Sequence, residues 1–194
     1  MVTAFKEWRV VCDALASGRQ TVILRKGGIH EGKEGFSFAH DSFFLFPTHF
    51  HAQMEQVREG DFMPEREWEP GDLIGIRSYA EVTAAVTLRS WEQIARLLPY
   101  HIYKEDTIRD RFEWDGKGMA SGSIQLAIVR VYELARPWRL TYEKRYGGCR
   151  SWVDLPEPPE GWLEEAIPVI KNDPFVALAE QISEISGISG SKIA

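Results

Sequence analysis

The apolar positions of this chain change their spacing along it, and those changes mark its elements. Over residues 4–16, Phe5, Trp8, Val11, Cys12 and Leu15 recur every three or four residues, which predicts an amphipathic helix stopped by Ser17 and Gly18. Residues 21–24 are apolar and β-branched, a predicted strand. Residues 27–35 hold four glycines, the mark of a loop that needs unusual backbone angles. Residues 36–46 alternate and then turn wholly apolar from Phe43 to Phe46, predicting a strand that ends at Pro47. Residues 58–70, charged and proline-bearing, predict a surface connection.

Residues 71–76 and 81–88 predict two short strands. Ser90 with Gln93 three positions on forms a capping box that opens a helix to about Leu98. Residues 99–122 show no clean period, whereas 123–134 carry the strongest strand pattern in the chain. Further strands are predicted over 141–146 and 151–153. Residues 155–159 read as a linker. Beyond it, Asp173 as N-cap and Pro174 at the first helical position predict a helix carrying Phe175, Leu178, Ile182 and Ile185, with residues 187–194 frayed. Short strands at unequal spacing predict an α+β domain around a small, mixed, strongly bent sheet or barrel with inserted helices and a C-terminal helical tail. Residues 1–154 form the expected single domain, and 155–194 an acidic linker and helix that packs on the body or on a partner.

Composition narrows the function classes. With 194 residues, 44% hydrophobic, the chain can bury a core without disulfide or metal. No apolar run reaches the roughly 18 residues of a membrane span, and Lys6, Glu7 and Arg9 interrupt any signal sequence. The expectation is a cytoplasmic protein. Cys12 and Cys149 make no metal-binding or redox motif, and no glycine-rich nucleotide-binding motif is present, so no cofactor is expected. The net charge of −6 belongs entirely to residues 151–194; the first 150 residues balance. Within that balanced body, residues 136–150 carry a net +4 from Arg136, Arg139, Lys144, Arg145 and Arg150 against Glu143. Such a patch suits a polyanion, and equally a charged sheet edge.

Chemistry concentrates elsewhere. Four of the five histidines, His30, His40, His49 and His51, fall within 22 residues, close to Arg25, Lys26, Glu31 and Thr48. If the strands at 21–24 and 36–46 pair, the glycine loop and Thr48 meet at one rim. Arg25 and Lys26 then offer phosphate contacts, while His30, Glu31, Thr48 and His51 offer hydrogen bonds to a base. Phe36, Phe38, Phe43, Phe44 and Phe46, with Trp68, Trp91 and Trp114, are candidates for stacking, though most such rings belong in a core. A rival reading makes His30, Glu31, His49 and His51 the metal ligands and base of a hydrolase or nuclease. No catalytic or metal residue is assigned. A third reading is a protein-interaction scaffold using the C-terminal helix.

Two segments resemble a known family. Leu24-Arg25-Lys26-Gly27-Gly28-Ile29-His30-Glu31 and Phe44-Leu45-Phe46-Pro47-Thr48, followed by His51-Ala52-Gln53, are similar to the signatures of the bacterial domain of unknown function 1802. Ala4-Phe5-Lys6-Glu7-Trp8 resembles that family's start, and the likeness covers most of residues 4–154. Some members occur with Mrr-type restriction endonuclease domains, which implies a place near DNA restriction and such an enzyme as partner. A looser similarity links residues 17–26, 70–76, 82–88 and 126–134 to ASCH and related PUA-like domains, small β-barrels that hold RNA or modified bases in a cleft. The chain departs from them in the insert at 27–70 and in Arg19, where hydrolytic ASCH members keep lysine. Together these resemblances imply a PUA-like, nucleic-acid-binding module, and the departure at Arg19 counts against that hydrolase activity.

Overall fold

The computed structural model describes residues 1–26, 38–49, 53–58, 66–113 and 122–188. Seven strands form one bent, unclosed sheet: β1 (Val2–Trp8), β2 (Val22–Arg25), β3 (Ser42–Thr48), β4 (Leu73–Leu88), β5 (Ile124–Thr141), β6 (Trp152–Leu155) and β7 (Ile167–Pro168). Their order is β2-β5-β4-β3-β1-β6, with β7 beside β2 on the same edge of β5. All pairings are antiparallel except that of β1 with β3, which run parallel from Ala4 opposite Phe44 to Trp8 opposite Thr48. Helices α1 (Arg9–Ala16), α2 (Trp91–Arg96), α3 (Glu105–Phe112), α4 (Trp162–Glu165) and α5 (Asn172–Ser186) fill the connections and the C-terminal region. Among the described residues, no helix is long and apolar enough to cross a membrane.

The sheet is buried on both faces where β1 and β3 lie, and this explains their composition. Phe5, Phe43 and Leu45 point into a first core with Val11, Leu15, Leu24, Leu126 and Ile128. Their alternates Ala4, Phe44 and Phe46 point into a second core with Ile76, Trp138 and Tyr146. A strand covered on both sides has no polar alternation, so the run Phe43–Phe46 is continuous for a packing reason. Helix α5 places Phe175, Ala179 and Ile182 in the first core.

Several elements differ from the sequence expectation. The helix expected over 4–16 begins only at Arg9, because pairing with β3 draws residues through Trp8 into a strand. Local spacing loses there to tertiary hydrogen bonding. The strand expected to end at Pro47 runs on to Thr48. The two short strands expected at 71–76 and 81–88 are one 16-residue strand, β4. The strand expected over 123–134 runs on to Thr141 as β5, and the strand expected over 141–146 is absent: beyond Thr141 the chain turns into a 3-10 helix at Lys144–Tyr146. A bulge bends the pair: between Ile76 opposite Trp138 and Ser78 opposite Glu133, β5 carries three residues more than β4. The Ser90 cap is present, its Oγ accepting from the Gln93 N–H at 3.4 Å. Helix α5 starts at Asn172, so Asp173 sits in its first turn and not at its cap, where it complements the helix dipole. The described part of 99–122 contains α3; Gly122 passes so near Phe112 that a Cβ would lie 2.4 Å from the ring.

Candidate functional site

A side-chain-lined hollow lies where the parallel pair ends, over the face of the second core. Lys6 shares that face with Ala4, two residues back, as Phe46 does with Phe44. Lys6 and Phe46 floor a cavity of about 410 Å³ whose rim includes Trp8 and Thr48 at the two strand ends. Arg25 from β2, Trp68, Tyr142 and residues 146–150 complete its lining, with His49 and Glu67. Its volume falls in the usual range for ligand sites, about 300–1,000 Å³.

The cavity is basic. Lys6 is only 8% exposed, and its Nζ donates to the Gly148 carbonyl at 2.6 Å. Burial holds its ammonium below the ordinary lysine range; the Cys149 side chain opposes this shift, and Arg150 and Arg25 add to it. Gly148 takes a positive φ of 79° with nothing near its Cα, a conformation that suits glycine and presents its carbonyl to Lys6. Arg150 is exposed at the rim and donates to the Arg145 carbonyl. Glu67 is the acidic side chain in the lining, and together with burial it raises the Tyr142 phenol above its usual range.

The aromatic walls are fixed. Trp68 donates its indole N–H to the Pro47 carbonyl at 2.8 Å and meets the His49 ring edge-on at 4.2 Å between centroids. Trp8 is half-buried, with the Arg111 guanidinium 4.5 Å over its ring and Tyr103 packed edge-on. Tyr146 is buried against Phe46 and Tyr142. Rings held in this way offer stacking surface without losing further side-chain entropy on binding.

The residues expected to bind divide into three groups. Arg25 and Thr48 come together at this cavity, although β2 and β3 do not pair: β2 lies on β5, and the bend of the sheet carries its end round to β1. Both also have structural partners. Arg25 donates to Ser151 at 3.0 Å and faces the fully buried Glu7 carboxylate at 3.9 Å, while the Thr48 hydroxyl donates to the Glu7 carbonyl at 2.9 Å. Lys26 does not line the cavity; its Nζ donates to the Phe112 carbonyl at the C-terminus of α3. His30, Glu31 and His51 lie outside the described residues.

Among the described residues, no group of three or more His, Cys, Asp or Glu side chains could hold a metal ion. His49 is buried against Trp68. Phe43, Phe44 and Phe46 are core rings, and only Phe46 of the three lines the cavity. Sequence reading missed Lys6, Trp8, Tyr142, Tyr146 and Arg150. Lys6 and Trp8 were masked by the helical spacing of 4–16. Arg150 lay within the +4 segment, which did point here.

Comparison with known proteins adds the family. The family model described as Domain of unknown function (DUF1802) matches residues 4–181, reaching into α5. Among solved structures, ASCH from Zymomonas mobilis is similar at 13% identity and a TM-score of 0.44, over 84% of this chain and 91% of that one. A single-substitution variant of the same protein has the same identity and TM-score, over 80% of this chain and 90% of that one. No curated protein matches the chain.

Proposed function

This chain belongs to the family described as Domain of unknown function (DUF1802), and from its own cavity we propose that it binds nucleic acid by taking an unpaired base between the Trp8, Trp68 and Tyr142 rings. The observation that carries this reading is the convergence of fixed aromatic walls with Lys6, Arg25 and Arg150 in one cavity. Aromatic rings accept any base face, and the cations suit the phosphate attached to it. Glu67 supplies an acceptor for an exocyclic amine, which favours adenine, cytosine or guanine over uracil and thymine. The room available, about 410 Å³, supports a base carrying an added group as well as a plain one. Of the residues expected from sequence, Arg25 and Thr48 fit this reading directly, and His30, Glu31 and His51 belong to the proposal as neighbours on the same insert. A role beside DNA restriction in the cytoplasm is part of the same proposal, since a reader of modified bases is a natural companion to a nuclease.

The test is equilibrium binding of single-stranded oligonucleotides, plain and base-modified, at two salt concentrations, to the wild type and to Lys6→Met. Salt-dependent binding that weakens at least tenfold in the variant supports the reading. Absence of binding at low salt, or an unchanged variant, overturns it.

A further inference from the structure

A second hollow, of about 270 Å³, also has Trp68 in its lining. It is lined by Arg9, Arg77 and Arg139 over Gly75 and Pro137. Three features mark it as built for an anion. Arg77 and Arg139 are exposed and, among the described residues, form no ion pair; Arg9 alone is engaged, by Asp13 at 3.1 Å. Gly75 stands directly opposite Arg139 in the β4–β5 register, so the position beside the arginine on the neighbouring strand carries no side chain. The bulge that sets three extra residues into β5 before Trp138 brings out Pro137 as the hollow's rim. Arg139 also belongs to the +4 segment that supplies Arg150 to the first cavity, so one stretch of chain delivers positive charge to both hollows.

We propose that this second hollow is a backbone track that holds the phosphodiester next to a base lodged in the first cavity, so that Trp68 separates two consecutive binding positions for one single strand. The inference rests on the reading of the first cavity for the placement of the base. The ligand class is single-stranded nucleic acid, because a base can enter an aromatic-walled cavity only when unpaired. Cations without carboxylate partners, on a firm β-strand floor, release counterions when a phosphate replaces them, which makes binding salt-dependent.

The experiment compares the wild type with Arg77→Gln/Arg139→Gln, whose positions are exposed on strands, after melting curves confirm that both fold alike. Two probes are used, a nucleoside 5′-monophosphate and an eight-nucleotide single strand, with a duplex of the same length as competitor. The proposal expects the double variant to lose at least tenfold in octamer affinity. The log–log salt slope should fall by about 0.7, the value for one phosphate on a single strand. Octamer affinity unchanged in the double variant, or no octamer binding by the wild type, overturns the track. Competition by the duplex equal to that by the single strand overturns the assignment of ligand class. The monophosphate reports on the first cavity alone: its affinity is expected to be the same in wild type and double variant, so a failure there is a failure of the cavity reading and not of the track.

Discussion

Arg25 donates from Nη2 to the Ser151 hydroxyl at 3.0 Å, joining edge strand β2 to the residue that precedes the opposite edge strand, β6. The sheet is not closed by strand pairing at this point, so this contact spans the seam, while the Lys6 N–H to Ser151 carbonyl bond at 2.8 Å holds Ser151 on β1. The same guanidinium faces the buried Glu7 carboxylate, whose Oε2 has no hydrogen-bond partner among the described residues. Arg25 therefore both shapes the cavity and neutralises a buried charge beside it.

Removing that guanidinium leaves Glu7 uncompensated. Arg25→Met is expected to destabilise the fold by about 2 kcal/mol, with Glu7→Gln/Arg25→Met recovering part of the loss. Urea midpoints of the two single variants and the double variant check this. Arg25→Met as stable as the wild type would mean that the pair does not secure the seam.

His101 is 1% exposed, and burial, reinforced by Arg58 and Arg111, lowers its pKa from 6.5 to about 3. The fold thus prefers the neutral ring. The stability this gives is present above pH 6.5 and is lost as pH falls from 6.5 towards about 3. Between pH 7 and pH 5 the loss from this group is about 2 kcal/mol. His101→Phe is expected to flatten that part of the profile, as read from denaturation midpoints at the two pH values. An equally steep decline in the variant would assign the acid sensitivity to other groups.

Lys6 bears on binding instead of stability. Because its pKa lies below the usual 10.5, it discharges earlier than an exposed lysine as pH rises, and anion affinity should fall through that lowered pKa. A bound phosphate raises the pKa again, so binding at alkaline pH should take up protons. Calorimetry in buffers of different ionisation enthalpy measures that uptake. It should vanish in Lys6→Met.

Trp68 lines both hollows. Trp68→Ala should weaken oligonucleotide binding by about 1–3 kcal/mol, the usual worth of one stacked base. The control is Trp91→Ala, since Trp91 packs against Phe112 away from the cavity. Equal losses in both variants would point to general damage and not to stacking.

The sequence carried the class of fold and one part of the site, and the reasons are physical. The bent sheet of mixed α and β elements was legible from strand-forming runs, and the Ser90 cap from local chemistry. The start of α1 was not, because the pairing of Trp8 with Thr48 is a contact 40 residues apart that no local period reports. Similarly, Arg25 and Thr48 were expected to meet through pairing of their strands; they meet through the bend of a sheet in which β5 and β4 lie between those strands. Gln53, part of the family-like triplet, contributes to the fold by accepting the Val10 N–H at the start of α1, at 3.5 Å. Its role could not be read before α1 was placed. Lys6 looked like a helix-surface charge until β1 turned it into the second face of the sheet.

The central claim is that an unpaired base enters the cavity at the ends of β1 and β3. Photocrosslinking a 5-iodocytidine-substituted single strand to the wild-type protein, followed by peptide mapping, tests it most directly. The account predicts adducts at Trp8, Trp68 or Tyr142 that are lost in Lys6→Met. Adducts confined to α2, α5 or the acidic segment before α5 would contradict it.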